Sequence, residues 1–261
     1  MPTHQESLRE GQSNGSGRNI NFTEETTKVS PLVLARRYAS RALINHPLLN
    51  LNESTTVIDF GCGTGALSHA IAAYAGSIIG IDVSTSKIEK YNQTATDQGL
   101  DPSEMKGIVC DILTENFYFK ADIVVSAMTF HHLPDMRSTV SALTRALLPN
   151  GLIAVVDLQY DERISAVFAN AKKLKKEINH ASNCACVVHH VGGIKPAELE
   201  DAFERAGFVD IDLQQAAFTV KTLIPERLAR ESGLQKDDLL NNSTSTVWIE
   251  LPFLVAVARK P

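Results

Sequence analysis

The chain lacks the features that mark secreted, membrane and nucleic-acid-binding proteins. Its N-terminus has no apolar signal-peptide core, and its longest apolar stretch, residues 147–158, is short and is interrupted by Pro149, Asn150 and Gly151. Four cysteines in 261 residues provide no disulfide framework. A formal net charge of -5 gives no general attraction for a phosphate backbone. We therefore expect a soluble, cytoplasmic protein without a nucleic-acid or membrane partner.

The N-terminal fifth of the chain divides into two parts. Residues 1–20 are rich in Gly, Ser, Asn and charge, which predicts a disordered tail. From Pro31 to Leu43, apolar residues recur at helical spacing. We expect residues 21–50 to supply a helix that precedes the first strand and acts as a lid, with the main domain spanning residues 51–261.

The remainder of the chain alternates short apolar runs with helical segments. The runs TTVIDF, SIIGIDV, KGIVCDI, ADIVVSAMTF and GLIAVVDL predict five strands, nearly all apolar as in parallel sheets covered on both faces. The last two runs, VDIDLQQAAFTVK and VWIELPFLVAVARK, are expected to pair as antiparallel strands at the sheet edge. The pattern predicts an α/β fold: a Rossmann-like, doubly wound, mostly parallel seven-stranded sheet with an antiparallel C-terminal edge strand. Residues 159–195 fit no βα unit, and we expect them to form a small substrate cap.

The strongest chemical signal is the segment VIDFGCGTG, in which a strand runs straight into three glycines. Gly61, Gly63 and Gly65 allow a tight turn and close approach of the backbone to a ligand. This spacing alone is ambiguous, because Gly61, Gly63 and Ala66 also satisfy the dinucleotide-binding pattern. Asp59 favours a ligand that bears an amino acid, since a carboxylate there would attract an ammonium and repel a pyrophosphate.

Two further carboxylates end predicted strands. Asp82 is placed to accept hydrogen bonds from both ribose hydroxyls of a bound nucleoside. This would suit a dinucleotide as well as a nucleoside that bears an amino acid. Asp111 supplies a further hydrogen-bond acceptor at the end of the third predicted strand. With the segment SAMTFHHLPDM after the fourth strand, the chain resembles the class I S-adenosylmethionine-dependent methyltransferases, in particular a small-molecule branch with an HHLPD-type loop. The resemblance extends from about Thr56 to Leu158 and, more loosely, through the AGF motif and the closing strand pair.

The resemblance implies S-adenosylmethionine as the cofactor and methyl transfer to a small-molecule acceptor. It also implies which residues contact the cofactor. Those expected at the methionine moiety are Asp59, Gly61, Cys62, Gly63 and Gly65. Those expected at the ribose, the adenine and the sulfonium are, respectively, Asp82 with Val83, Asp111 with Ile112, and Ser126 with Ala127. The segment LLPNG has Asn150 where the family often has glycine, and asparagine tolerates a left-handed turn.

The expected mechanism is direct in-line displacement at the sulfonium methyl, without a metal. A base is needed only where the acceptor is protonated, and His131 or His132 is the candidate because both follow the fourth strand. In an extended segment only one of them would face the methyl group. Asp157, at the end of the fifth strand, is expected to orient the imidazole.

Other interpretations stay open on the sequence alone. The chain could be an S-adenosylmethionine-binding sensor or scaffold without catalysis, or an NAD-dependent dehydrogenase. Asp82 and Asp111 could instead cap the helices that follow them. The segment CACVVHH suggests a metal, but Cys184 and Cys186 lie too close to His189 and His190 for the usual two-pair zinc arrangement. The sequence does not define the acceptor, its nucleophilic atom or the oligomeric state.

Overall fold

The computed structural model describes residues 30–114, 117–177, 188–235 and 246–261, in which strands alternate with helices. The strands are β1 (Thr56–Phe60), β2 (Ser77–Asp82), β3 (Met105–Val109), β4 (Ala121–Ala127), β5 (Leu147–Leu158), β6 (Val209–Pro225) and β7 (Thr246–Arg259). The α-helices are α1 (Pro31–Ile44), α2 (Ala66–Ile71), α3 (Thr85–Asp97), α4 (Met136–Ala146), α5 (Glu162–Glu177), α6 (Pro196–Arg205) and α7 (Glu226–Glu231). Short 3-10 turns occupy Ala72–Tyr74 and Phe130–His132.

The seven strands form one sheet in the order β3-β2-β1-β4-β5-β7-β6. Strands β1 to β5 pair in parallel, whereas β7 is antiparallel to both of its neighbours, β5 and β6. The predicted fold is therefore confirmed, including the antiparallel C-terminal strands. The strand order reverses between β1 and β4, and α/β proteins bind ligands outside the carboxyl ends of the strands at such a point.

Alternating side chains of the central strands fill two cores, one on each face of the sheet. Ile58 packs with α4 and α6, through residues such as Val140 and Phe203. Its neighbour Val57 packs on the opposite face with α1, α2 and α3, where Tyr91 is fully buried. Because both faces are covered, the parallel strands are mostly apolar, as the sequence pattern predicted.

Helix α1 lies where the sequence predicted a helix before the first strand. Leu34 and Ala35 pack with Leu158 of β5 and Phe253 of β7. Its function as a lid stays a prediction. The tail, residues 1–20, falls outside the described residues.

The proposed cap region is partly described. Helices α5 and α7 share a small hydrophobic cluster with the far ends of β6 and β7, formed by residues such as Ile164, Leu228 and Ile249. A parallel bridge joins Gln159 to Ile194, which brings the end of this segment back to the end of β5. Residues 178–187 are outside the described residues. No helix among the described residues combines the length and the apolar composition that a membrane span requires.

The start of β5 differs from the sequence prediction. The strand begins at Leu147 instead of Gly151, because Ala121 of β4 already pairs with Leu147 before a register shift. Asn150 has a φ of 63°, in the left-handed region. The expectation that asparagine serves in this turn is therefore confirmed.

Gly80 of β2 gives a direct test of the packing beneath the glycine loop. A Cβ at this position would lie 2.6 Å from the ring of Tyr91 and 2.8 Å from Sγ of Cys62. Gly80→Ala should lower the free energy of unfolding by about 1 to 3 kcal/mol through overpacking. Urea denaturation measures this change. In the Gly80→Ala/Tyr91→Leu double variant the loss should be smaller than the sum of the two single losses. Strict additivity would contradict the proposed clash.

Candidate functional site

A cleft of about 750 Å³ opens at the carboxyl ends of β1, β2 and β4. The glycine loop after β1 forms one wall, and the histidine turn after β4 forms the other. Helix α1 contributes Arg36 to the lining. This cleft lies at the reversal of strand order and is of the size that small-molecule and cofactor sites have.

The glycine loop exposes backbone to the cleft. Gly61 and Gly63 have φ angles of 69° and 57°, which side chains with a Cβ rarely adopt. A Cβ at Gly61 would lie 2.2 Å from the side chain of Thr129, so this position has no room for one. A Cβ at Gly63 would meet no atom within 4 Å and would project into open space. The loop therefore leaves room for a ligand to approach its backbone.

Asp59, in β1, is a buried carboxylate that lines this cleft. Its exposed fraction is 1%, and Oδ2 accepts a hydrogen bond of 2.6 Å from the Ser68 hydroxyl of α2. Burial raises the pKa of Asp59 to about 6, since removal from water disfavours the charged form, and the Ser68 hydrogen bond only partly opposes this. A cation bound beside Asp59 would favour its ionised form.

Asp82 connects the end of β2 to the glycine loop. Its Oδ2 accepts from the Gly63 N–H at 3.0 Å, and its Oδ1 accepts from the Ser84 N–H at 2.9 Å. Nζ of Lys87 lies 3.7 Å from Oδ2. Each carboxylate oxygen can accept a second hydrogen bond, so Asp82 can still bind a hydroxyl donor. Ser84 is the residue at the N-cap position of α3, and Asp82 precedes it.

Asp111 follows β3 at the far end of the cleft. Its Oδ1 accepts a hydrogen bond of 3.0 Å from the Leu113 N–H. The neighbouring Ile112 and the exposed Val83 give this end of the cleft apolar walls. A flat apolar ring with a polar edge fits such surroundings.

His131 and Asp157 are hydrogen-bonded to each other. Nδ1 of His131 lies 2.6 Å from Oδ1 of Asp157, and the His131 N–H donates to Oδ2 at 3.3 Å. Asp157 is fully buried, whereas 13% of the His131 side chain is exposed. With Asp157 ionised, the neutral imidazole carries its proton on Nδ1. Nε2 is then the atom free to accept a proton.

The backbone of His131 is also held from the other side. Its carbonyl oxygen accepts hydrogen bonds of 3.1 and 3.0 Å from the N–H groups of His189 and His190. The backbone of these two histidines therefore holds the histidine turn in place. Cys184 and Cys186 are outside the described residues. Within the described residues, no group of three or more His, Cys, Asp or Glu side chains could hold a metal ion.

The histidine turn differs from the expected extended segment. Phe130–His132 is a 3-10 turn, so consecutive side chains do not point to opposite sides. Both His131 and His132 line the cleft, with their ring centroids 4.0 Å apart. The expectation of an extended backbone is therefore wrong, and the expectation that only one of the two histidines faces the methyl group stays a prediction.

The structure brings most of the predicted site residues to one cleft. Those that line it are Asp59, Gly61, Cys62, Gly63, Asp82, Val83, Asp111, Ile112, Ala127, His131 and His132. Three others lie behind this lining. Gly65 precedes α2 as its N-cap residue, and the buried Ser126 donates its hydroxyl to the carbonyl oxygen of Phe60 at 2.8 Å. Asp157 reaches the cleft only through His131.

Sequence reasoning missed two notable lining residues, Arg36 and Met128. The spacing of apolar residues in α1 predicted which face of the helix is buried. It did not indicate that Arg36, on the exposed face, would line the cleft. Met128 has a φ of 57°, uncommon for a residue with a long side chain, and such strain concentrates at functional sites. Nothing in the local sequence marks that backbone conformation.

Comparison with known proteins identifies the family. A family model described as a methyltransferase domain matches residues 51–216. The chain belongs to the methyltransferase domain family. This membership confirms the predicted enzyme class at the level of the family. The small-molecule branch and the HHLPD-type loop stay predictions.

Two curated methyltransferases resemble part of this chain. An uncharacterized methyltransferase of Schizosaccharomyces pombe is 31% identical over 164 residues, which cover 60% of this chain and 55% of that protein. A ubiquinone biosynthesis O-methyltransferase of Paracidovorax citrulli is 29% identical over 101 residues, covering 39% and 42% respectively. The matched region thus spans about half the length of these relatives.

Solved structures share the fold of this methyltransferase domain. The YcgJ protein from Bacillus subtilis has a TM-score of 0.60 at 17% identity, covering 88% of this chain and 97% of its own. A geranyl diphosphate methyltransferase in complex with S-adenosylmethionine has a TM-score of 0.54 at 14% identity, covering 88% and 85%. At these identities the likeness shows the fold.

The raised pKa of Asp59 predicts how stability depends on pH. A carboxyl whose folded pKa is about 6 and whose unfolded pKa is 3.8 stabilises the fold below pH 3.8, and that contribution is lost as pH rises through 6. Asp59→Asn does not titrate. Between pH 4.5 and 7.5, the free energy of unfolding of the wild type should fall relative to that variant by about 2 kcal/mol. Denaturant titrations of the ligand-free protein measure this, and parallel curves would refute the raised pKa.

Proposed function

We propose that this protein transfers the methyl group of S-adenosylmethionine to a small-molecule acceptor. One observation carries the proposal: three strand-end carboxylates and the glycine loop share a single cleft with the His131–Asp157 pair. Groups that can bind the cofactor and a group that can accept a proton thus line the same cleft. Membership of the methyltransferase domain family supports the same reaction.

The charges and shapes of the cleft fit the proposed cofactor. Asp59 suits the ammonium of the methionine moiety, and Arg36 supplies a cation for its carboxylate. Asp82 keeps acceptor capacity for the ribose hydroxyls. Ile112 and Val83 offer apolar surface to the adenine. The open space beside Gly63 is the room that a ligand next to the glycine loop requires.

The NAD-dependent dehydrogenase is less well supported. A pyrophosphate beside the glycine loop would lie close to Asp59, which is buried and therefore poorly screened by water. An ammonium at the same place would be attracted. The family match also favours methyl transfer over hydride transfer.

The chain contributes orientation, exclusion of water and proton transfer to the proposed reaction. The bound cofactor supplies a methyl group already activated by a positively charged sulfur. Walls of the cleft such as Leu133 and Met128 exclude water and align the acceptor. For a hydroxyl, phenol or thiol acceptor, Nε2 of His131 accepts the proton, and the buried Asp157 carboxylate stabilises the resulting imidazolium.

The size of the cleft supports a small acceptor. A volume of about 750 Å³ has to hold both the cofactor and the reacting part of the acceptor. Relatives and structural neighbours named for ubiquinone biosynthesis and for geranyl diphosphate point to small-molecule acceptors in those proteins. The proposal covers oxygen, nitrogen, sulfur and carbon nucleophiles.

Calorimetry with S-adenosylhomocysteine tests the cofactor site. Asp82→Ala should weaken binding about ten- to a hundredfold, because it removes charge-assisted hydrogen bonds to the ribose. Glu226→Ala, an exposed substitution on α7 away from the cleft, is the control and should bind like the wild type. Unchanged affinity in Asp82→Ala, or tighter binding of NAD than of S-adenosylhomocysteine, would contradict the assigned site.

The proton-transfer role is tested with labelled S-adenosylmethionine in cell extract, followed by mass spectrometry of methylated products. For an acceptor that must lose a proton, His131→Ala should lower turnover about 10²- to 10⁴-fold while S-adenosylhomocysteine affinity stays nearly constant. Asp157→Asn should also lower turnover, because an amide does not stabilise the imidazolium. Normal turnover in both variants would contradict the proton-transfer role and leave orientation of the cofactor and acceptor as the protein's contribution to the reaction. Cofactor binding without any methylated product would instead indicate a sensor.

A further inference from the structure

A second, separate groove of about 440 Å³ lies between α4 and α6. One face of α4 forms its wall, because residues spaced at i, i+4 and i+7 along this helix share a side. Those residues are Arg137, Ser138, Ser141, Ala142 and Arg145. Arg205 and Ala206 border the groove from α6, and Leu113 borders both this groove and the cofactor cleft. Three arginines therefore surround one depression.

Asp201 holds two of these arginines in place. Its carboxylate lies 2.7 Å from Nε of Arg137 and 2.8 Å from Nε of Arg205. Both ion pairs use Nε, so the terminal nitrogens of the two guanidinium groups stay available to a further acceptor. The Asp201 carboxylate thus orients the guanidinium groups of both arginines along the same groove.

Arg145 adds a third positive charge, with no acidic partner in the part of the chain that the structure describes. The surrounding end of α4 is also cationic. Lys120 donates to the carbonyl oxygen of Arg145, and Nζ of Lys260 donates to those of Thr144 and Leu147 at 3.0 and 2.7 Å. The nearby Asp135 caps the N-terminus of α4 through the Ser138 N–H and hydroxyl. Positive charge is concentrated here in a chain of net charge -5.

We propose that this groove binds a phosphate-bearing anion with two linked phosphoryl groups, such as pyrophosphate or the diphosphate of a nucleotide. Planar guanidinium groups pair with phosphate oxygens in bidentate geometry. The positive charge of the three arginines together with the nearby Lys120 and Lys260, less the negative charge of Asp201, exceeds the charge that one phosphate carries. The shared border at Leu113 places the bound anion next to the adenine end of the cleft. The proposal needs none of the residues assigned to methyl transfer.

Calorimetry of the full chain at fixed ionic strength, with S-adenosylhomocysteine saturating the cleft, tests the site. The probes are pyrophosphate, uridine diphosphate and uridine. Pyrophosphate and uridine diphosphate should both bind and uridine should not. Binding of pyrophosphate alone would mean that the groove takes the free anion and excludes a nucleoside.

Matched variants separate a built site from general charge attraction. Arg145→Gln and Arg205→Gln should each weaken pyrophosphate binding about tenfold, since each removes a charge-assisted pair. Arg230→Gln is the control, because Arg230 is an equally exposed arginine that pairs with Glu226 on α7. Equal loss in all three variants, equal affinity for uridine, or no pyrophosphate binding would overturn the proposal. Asp82→Ala should leave pyrophosphate binding intact, so failure of the cofactor site and failure of the groove are distinguishable.

Discussion

Parallel pairing of β1 with both β2 and β4 is the constraint on which the site depends. It brings the carboxyl ends of three strands to one edge of the sheet. The glycine loop is then fixed by three hydrogen bonds to β2. The N–H groups of Gly61 and Cys62 donate to the carbonyl oxygen of Ile81 at 2.8 and 3.1 Å, and the Gly63 N–H donates to Asp82. A break in either pairing would separate the loop from the carboxylates around it. The pairing of these three strands therefore determines the geometry of the cleft.

Two carboxylates of the proposed site, Asp59 and Asp157, are buried, and each accepts hydrogen bonds from nearby donors. Asp59 receives the Ser68 hydroxyl, and Asp157 receives the imidazole of His131 together with the backbone N–H groups of His131 and Leu158. An uncompensated buried carboxylate would be costly, so these donors are part of the stability of the fold as well as of the site. Burial is the largest influence on the pKa of Asp59 and raises it despite the hydrogen bonds from Ser68.

Helix α1 and the loop of residues 188–195, which lie outside the parallel sheet, pack near the histidine turn. Helix α1 packs on Leu158 at the end of β5, one residue beyond Asp157, and also supplies Arg36 to the cleft. The loop of residues 188–195 holds the His131 carbonyl from the other side. Movement of α1 or of this loop would thus change the position of His131, the proposed base. The arginine groove adjoins the Asp111 end of the cleft through Leu113, so the two proposed sites share one apolar residue but no charged residue.

The sequence by itself determined the alternation of strands and helices in the sheet, the glycine loop and the carboxylates at the strand ends. These features depend on periodicity and on short-range turn chemistry, which neighbouring residues encode; Asn150 in its left-handed turn is one example. Only the tertiary structure decided that Ser126 bonds to β1, that Arg36 reaches the cleft, and that Asp201 aligns Arg137. Asp201 and Arg137 are 64 residues apart in the chain. Such contacts depend on how helices pack across a sheet face, and no local pattern specifies which exposed side chains that packing brings together.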